Sequence, residues 1–288
     1  MPQYKSVLTI ALVLVLLTEL AVIVGIFGWG GSGKRQIRSV RGENVTLYGV
    51  GLYSDMPDEV APQGIAQDYV TLFVGIPLLL WALIMAQRGS IPSRMFLAGV
   101  LAYFVLTYMF WLNMSAYNDF FLIYVVLAGL SIWAFLIVVV HISPKKAKLA
   151  AMSRMPRQVA GGFLMLTSLL VAAMWLKVII PPLLHGSYPK ELYHFTTLVV
   201  QGIDLAYFLP FCFVTGLLFM KKSIWGYMFS PIILVFLSLQ MLALLTKMVF
   251  MLKEGNMVQL PLMVGIGVIF VLAVSLANSC LRSFNKLA

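Results

Sequence analysis

Eight long apolar stretches constrain this chain more than any other feature of its sequence. They span approximately residues 6–29, 68–87, 95–114, 118–142, 158–181, 194–220, 224–252 and 257–281. A helix needs roughly 20 apolar residues to cross a bilayer core about 30 Å thick. Backbone groups in lipid must be satisfied internally, and the alternation typical of a membrane barrel is absent. With 61% hydrophobic and only 10% charged residues, the sequence predicts an all-α, polytopic transmembrane bundle of about eight helices.

The distribution of charge predicts how the bundle lies in the membrane. One side carries both termini, the 88–94 and 143–157 loops and the link at Lys221 and Lys222, with twelve Lys and Arg residues and no acid. The other side carries six basic and eight acidic residues. Because positive residues stay in the cytoplasm, we expect a multipass protein of a plasma membrane with both termini cytoplasmic. The net charge of +10 then reflects topology and attraction to the lipid bilayer, and it requires no nucleic acid.

One long loop, residues 30–67, separates the first two helices of a single domain spanning residues 1–288, and it is predicted to be extracellular. The β-prone runs 36–40 and 45–50 flank the turn-like Arg41-Gly-Glu-Asn44. This pattern predicts a small β-hairpin that caps the outer face. No internal repeat and no second domain is evident.

The loop begins with Gly28-Trp-Gly-Gly-Ser-Gly33-Lys34, which is one residue short of a nucleotide-binding P-loop. A P-loop needs a strand before its glycines and a helix after them, whereas here a membrane helix precedes and a β-prone run follows. The stretch is therefore interpreted as a flexible exit from the first helix. A basic patch follows, formed by Lys34, Arg35, Arg38 and Arg41. The favoured interpretation is pairing with Asp55, Asp58 and Glu59; contact with an anion or a lipid headgroup is the alternative.

Four ionisable residues interrupt the apolar segments: Glu19, Lys177, Asp204 and Lys247. A charge at mid-membrane costs roughly 2.5–3.5 kcal/mol on insertion scales, so such groups pair, face a cavity or become neutral. Glu19 and Asp204 lie at mid-depth. Lys177 and Lys247 lie near outer ends, where the long side chain can reach the interface by snorkelling.

Polar residues accompany Asp204 at helical spacing on the sixth helix, and Gln240 and Lys247 lie seven residues apart on the seventh. Asp68 opens the second apolar segment, where a carboxylate either caps the helix or joins a site. The candidate ligand- or ion-binding residues are therefore Glu19, Asp68, Thr197, Gln201, Asp204, Tyr207, Gln240 and Lys247. Interhelical hydrogen bonding without a ligand, at about 1 kcal/mol per contact, is the alternative. Because Asp204 and Lys247 are predicted at different depths, a direct ion pair between them requires a tilted helix or a bridging water.

Other chemistry has little support. His141, His185 and His194 lack ligand spacing, and Cys212 and Cys280 are lone thiols, so no metal, cofactor or catalytic group is predicted. The leading hypothesis is a transporter, channel or binding protein for a small solute or ion. A non-catalytic subunit or sensor that binds a partner through the loop, and an intramembrane lipid-modifying enzyme using Asp204 or Glu19, remain alternatives. A homo-oligomer or a membrane-protein partner stays open.

Several short runs carry a resemblance. They are Gln67-Asp68-Tyr-Val-Thr-Leu-Phe-Val-Gly-Ile-Pro77, Arg88-Gly-Ser90, Tyr117-Asn118 and Trp225-Gly-Tyr227. In these runs the chain resembles a widespread group of bacterial multipass integral membrane proteins of no known activity. The resemblance implies a bacterial inner membrane and adds nothing about chemistry.

Overall fold

The computed structural model describes residues 2–152, 154–255 and 257–284, with side chains from residue 6. Within these residues it contains nine helices, of which eight are long and apolar enough to cross a membrane. They are α1 (Pro2–Phe27), α2 (Ala61–Ala86), α3 (Ile91–Met114), α4 (Phe121–Val140), the short α5 (Pro144–Ala150), α6 (Arg157–Leu184), α7 (Val199–Met220), α8 (Ile224–Lys253) and α9 (Leu260–Arg282). The predicted all-α, eight-helix polytopic architecture is confirmed.

Helix boundaries differ most from the sequence prediction at the starts of α2 and α7. Helix α2 begins at Ala61, seven residues before the predicted start, because its first two turns are buried under the loop rather than in lipid. Helix α7 begins at Val199 instead of 194, since the residues before it form a short 3₁₀ turn at Lys190–Leu192 and an irregular loop.

The predicted hairpin is present in the long loop. Strand β1 (Arg35–Arg38) pairs antiparallel with β2 (Asn44–Leu47), with Arg35 opposite Leu47. The Ser39 hydroxyl closes the turn by accepting hydrogen bonds from the backbone N–H groups of Arg41 and Glu43, both at 3.2 Å. We call residues 30–60 the cap, and the end of the bundle that carries them the cap side.

Helices α3 and α8 form the centre of the bundle. Helix α8 packs against α2, α3, α7 and α9, and α3 packs against α2, α4 and α8. Their largest fully buried side chains include Tyr103, Phe104 and Phe236. The remaining helices surround this pair and expose apolar faces to lipid, as the bilayer requires.

Two spanning helices contain an interruption. Helix α2 includes a wide π turn at Thr71–Gly75, and α7 includes one at Asp204–Phe208. A proline follows two residues after each, at Pro77 and Pro210. Proline cannot donate a backbone hydrogen bond and crowds the preceding turn, which opens to accommodate it. Each wide turn therefore lies directly ahead of a helix proline.

These features reveal a repeat that the sequence pattern alone did not make evident. The π turns, the prolines and the next helix starts all recur 133 residues later: Pro77 corresponds to Pro210, Ser90 to Ser223 and Ile91 to Ile224. Ser90 and Ser223 both cap their helices with the side-chain oxygen. The residue before each has a positive φ, 75° at Gly89 and 59° at Lys222. Helices α2 and α3 therefore correspond to α7 and α8.

The two central helices meet at corresponding positions of this repeat. A Cβ built on Gly99 of α3 would lie 2.7 Å from the carbonyl oxygen of Ile232 of α8, the residue 133 positions later. Contact between corresponding residues is what a two-fold relation between halves requires. The bundle thus consists of a first half, α1–α4, and a second half, α6–α9, that meet along α3 and α8.

Candidate functional site

Asp68 lies inside the cap-side half of the bundle. Its residue is only 3% exposed, and the Tyr53 hydroxyl donates a hydrogen bond to its Oδ2. The prediction that Asp68 caps the second helix is wrong, because two turns of α2 precede it. Gly25 of α1 faces the carboxylate, and a Cβ there would overlap Oδ2. A glycine in α1 and a tyrosine in the cap therefore make room for this buried acid and hold it.

A hydrogen-bonded network lies beside Asp68. Gln67 Nε2 donates to the Tyr103 hydroxyl at 2.8 Å and to Thr107 Oγ1 at 3.1 Å. Thr71 Oγ1 donates to the Gln67 carbonyl at 2.8 Å, so the Tyr103 hydroxyl must donate in turn to Thr71, 2.8 Å away. This order of protons fixes the Gln67 amide with its nitrogen toward Tyr103. The network joins α2 to α3.

Three buried oxygens near this network have no hydrogen-bond partner within the described part of the chain. They are Gln67 Oε1, Thr18 Oγ1 and the Tyr108 hydroxyl. Thr18 and Tyr108 are close enough to interact, yet their hydroxyls do not reach hydrogen-bond geometry. An unpaired buried polar group costs about 1–3 kcal/mol, so these three oxygens are energetically unfavourable positions in the interior of the bundle.

Asp204 is the first residue of the π turn in α7. The Trp175 Nε1–H of α6 donates a hydrogen bond of 2.9 Å to its Oδ2. Gln201, one turn earlier, is buried. Asp204 itself is partly buried, and a ligand-binding role for the two residues stays a prediction.

Lys247 of α8 interacts electrostatically with both Asp204 and Asp68. No ion pair within 4 Å joins any two of the three among the described residues, for which the pairs found are Lys34–Asp58 and Arg35–Asp55. The absence of a direct Asp204–Lys247 ion pair agrees with the different depths predicted for the two residues. Lys247 is within electrostatic range of carboxylates on α2 and α7, and snorkelling to the interface stays the alternative prediction for it. We call Asp68, Asp204 and Lys247 the charged cluster.

Four predicted site residues are not brought to the charged cluster. Glu19 is exposed on the outside of α1, and Thr197 is exposed ahead of α7. Tyr207 is 70% exposed because it lies in the π turn, whose extra residue rotates the following side chains away from the ideal stripe. Gln240 is partly buried on α8 without a hydrogen bond that links it to the cluster. The polar face predicted on the sixth helix therefore does not extend to Thr197 and Tyr207.

The basic patch is largely paired within the protein. Lys34 Nζ lies 3.0 Å from Asp58 Oδ2, and Arg35 pairs with Asp55. The hydrogen bond and charge of Asp58 raise the pKa of Lys34. Arg41 Nη2 donates to the carbonyls of Tyr193 and Phe195 at 2.7 and 2.8 Å. The favoured interpretation of internal pairing is confirmed for two of the four residues; Arg41 instead ties the cap to the 185–198 loop.

Arg38 completes the patch, donating from Nε to the Gly42 carbonyl at 3.2 Å within the hairpin turn. Its residue is exposed, and no acid contacts it within the described residues. Anion or headgroup contact therefore stays a prediction for Arg38.

Sequence reasoning missed four residues that shape the site: Thr18, Tyr53, Gln67 and Trp175. Tyr53 and Trp175 reach the carboxylates from elements distant in the chain, so no local spacing signals them. Gln67 had a usable signal, since it neighbours Asp68 and precedes Thr71 by one helical turn. Comparisons with protein-family profiles, curated proteins and solved structures found no match to the chain.

Proposed function

We propose that this polytopic membrane protein binds and carries a small solute or ion at the charged cluster. One observation carries the proposal: three charged side chains from three helices lie in the interior of an apolar bundle without a close ion pair between them. Intramembrane ionisable residues are costly and mark ion and substrate pathways. When all three groups are ionised, two carboxylates and one ammonium carry one net negative charge, which favours a monovalent cation, a proton or a cationic solute.

The repeat supports the same location. In many transporters the substrate site lies between internal repeats and is formed by interrupted helices. Here the interrupted helices α2 and α7 are the corresponding helices of the two halves. Asp204 begins one π turn and Asp68 lies three residues before the other. The central α8 carries Lys247, which interacts electrostatically with both carboxylates.

Interhelical bonding without a ligand explains only part of the polar residues. The bonds among Gln67, Tyr103, Thr71 and Thr107 account for that network. They leave Gln67 Oε1 and the facing hydroxyls of Thr18 and Tyr108 without partners. A bound ion or water at these oxygens is part of the proposal.

The other hypotheses gain no support. The cap's own acids and the 185–198 loop hold three of its four basic residues, Lys34, Arg35 and Arg41, and only the exposed Arg38 contacts no acid among the described residues. The enzyme alternative would use Asp204 or Glu19, and Glu19 is exposed on α1, which leaves Asp204 as the acid for that alternative. We place the protein in a bacterial inner membrane with cytoplasmic termini, on the charge distribution and the resemblance given above.

Purified protein reconstituted into vesicles tests the proposal. Proton flux is followed with trapped pyranine under a pH gradient, and ²²Na⁺ uptake is measured in parallel. We expect gradient-dependent flux of at least one ion in the wild type, and at least tenfold slower flux in Asp204→Asn and Asp68→Asn. The matched control is Asp119→Asn, which removes an exposed acid outside the cluster.

Equal flux in the cluster variants and the wild type would contradict the proposal. So would wild-type vesicles that move neither ion, provided that a thermal-stability screen with Na⁺, K⁺ and small amines also detects no binding. A correctly folded Lys247→Met variant with altered ion preference would support the assignment of Lys247.

A further inference from the structure

Two lone charges of opposite sign face the lipid. Glu19 of α1 and Lys177 of α6 are both exposed, and neither forms an ion pair within the described residues. Each lies in an exposed apolar stripe. In α1 the stripe contains Leu12, Leu16 and Ile23; in α6 it contains Leu169, Leu176 and Ile180.

The two charges lie at similar distances from the cap-side ends of their helices, because α6 continues to Leu184, three residues beyond the predicted end at 181. Helices α1 and α6 both end on the cap side, so they run in the same direction. Glu19 is eight residues before the end of α1 at Phe27, and Lys177 is seven before the end of α6 at Leu184. At 1.5 Å per residue these positions are about 12 Å and about 10 Å from the helix ends.

The charges cannot meet within one copy of the chain. Helix α1 packs on α2 and α4, whereas α6 packs on α7. The order of spans makes α1 and α6 the outer helices of opposite halves, related through the contact of α3 with α8. The side chains therefore project from different faces of the bundle.

Contact with lipid alone does not explain why the carboxylate of Glu19 is exposed within a membrane-spanning helix. A lysine can extend its stem toward the interface, but a glutamate about 12 Å below the helix end has too short a side chain to do so. A carboxylate facing hydrocarbon is costly unless a partner neutralises it. A basic residue at matching depth on a parallel helix provides that partner, and Lys177 meets both conditions.

We infer that Glu19 of one copy pairs with Lys177 of a second copy, with α1 of the first packed along α6 of the second. Because the contact joins two different faces, each copy presents its α1 face to one neighbour and its α6 face to another. Such head-to-tail contacts build a row or ring rather than a closed pair. This inference does not depend on the proposed function.

Cysteine cross-linking in native membranes tests the contact. Cys212 and Cys280 are both buried and can be replaced by Ala to give a cysteine-free background. In that background, Ile23→Cys combined with Ile180→Cys, both exposed and about one turn from the two charges, should form, under copper phenanthroline, a ladder of dimers and larger species. The control pairs Ile23→Cys with Val268→Cys, which is 54% exposed on α9. We expect at least fivefold less cross-linked product from the control.

A charge exchange supplies the second readout. Glu19→Lys alone and Lys177→Glu alone should each reduce chemically cross-linked oligomers of otherwise native protein at least fivefold. The double exchange, Glu19→Lys with Lys177→Glu, should restore them. Three results would each overturn the inference. In the cysteine experiment they are cross-linking no greater than in the control, or dimers without larger species. In the charge exchange it is a double variant that forms no more oligomer than the single variants.

Discussion

At the scale of single residues, the buried carboxylate of Asp68 depends on a residue without a side chain. Gly25 lies against it, and a Cβ would come within 3.1 Å of Asp68 Cγ and 3.2 Å of the Tyr53 hydroxyl. Sequence reasoning treated α1 only as a span, because a helix that is apolar all round gives no sign of which side faces a neighbour. The absence of a side chain at Gly25 is what allows the Asp68 carboxylate to be buried there.

Gly25→Ala should therefore displace Asp68 and lower stability by about 1–3 kcal/mol, as overpacking does. The matched control is Gly129→Ala in α4, where the structure leaves open space. That change should be neutral or stabilising by up to about 1 kcal/mol, since alanine favours helix. Thermal unfolding of both variants in the same detergent measures the difference. Equal melting temperatures would show that the Gly25 contact is not tight in solution.

The charged cluster itself was partly predictable at this scale. Asp204 and Lys247 are conspicuous because charge is rare in apolar segments, and both belong to the cluster. The interior position of Asp68 was not predictable, because its helix starts with Ala-Pro-Gln-Gly, a polar run that resembles loop. Glu19 was misplaced for the same reason that Gly25 was overlooked: nothing in α1 distinguishes a lipid-facing side from a buried one.

At the scale of elements, spans were predictable from length and hydropathy, whereas the π turns were not. An extra residue in a turn leaves no mark on composition, yet it rotated Tyr207 out of the predicted stripe.

The contacts between the cap and the 185–198 loop were equally unpredictable from the sequence. Glu59 accepts a 2.7 Å hydrogen bond from the Tyr193 hydroxyl, and Tyr193 adopts a strained φ of 45°. Burial, followed by Glu59, raises the pKa of Tyr193. The cap and the 185–198 loop are thus one structural unit.

His194 makes this unit sensitive to acid. Burial, with a smaller effect of Arg41, lowers the pKa of His194 below its ordinary 6.5, although Asp55 opposes the shift. A lowered pKa means that folding favours the neutral imidazole. The contribution to stability is therefore full above about pH 6.5 and is lost as the pH falls through the lower folded-state pKa. The contact between the cap and the 185–198 loop should loosen below pH 6.

Spin labels at Glu43→Cys and Ser187→Cys, both exposed positions, measure this loosening in the cysteine-free background. The distance distribution should broaden between pH 7.5 and pH 5. His194→Gln, which stays neutral, should keep the narrow distribution at both values. Broadening of equal size in His194→Gln would assign the effect to other groups.

At the scale of the whole molecule, the repeat divides the chain at the segment between α5 and α6. Each half contributes four spanning helices, and the halves meet where α3 crosses α8. The repeat is invisible as sequence similarity because lipid accepts many apolar residues at each position. What recurs is geometry: the π turn with its proline, the positive φ, and the serine cap that follows.

This organisation predicts that the halves can assemble as separate chains. Fragments 1–152 and 153–288, coexpressed, should insert independently and copurify through a tag on one of them. Gly99→Val should reduce their recovery at least fivefold, because a side chain there would collide with Val235 Cβ and the Ile232 carbonyl. Gly162→Val, on a helical glycine with open space around it, is the control. Recovery that is insensitive to Gly99→Val would place the contact between the halves elsewhere than the crossing of α3 and α8.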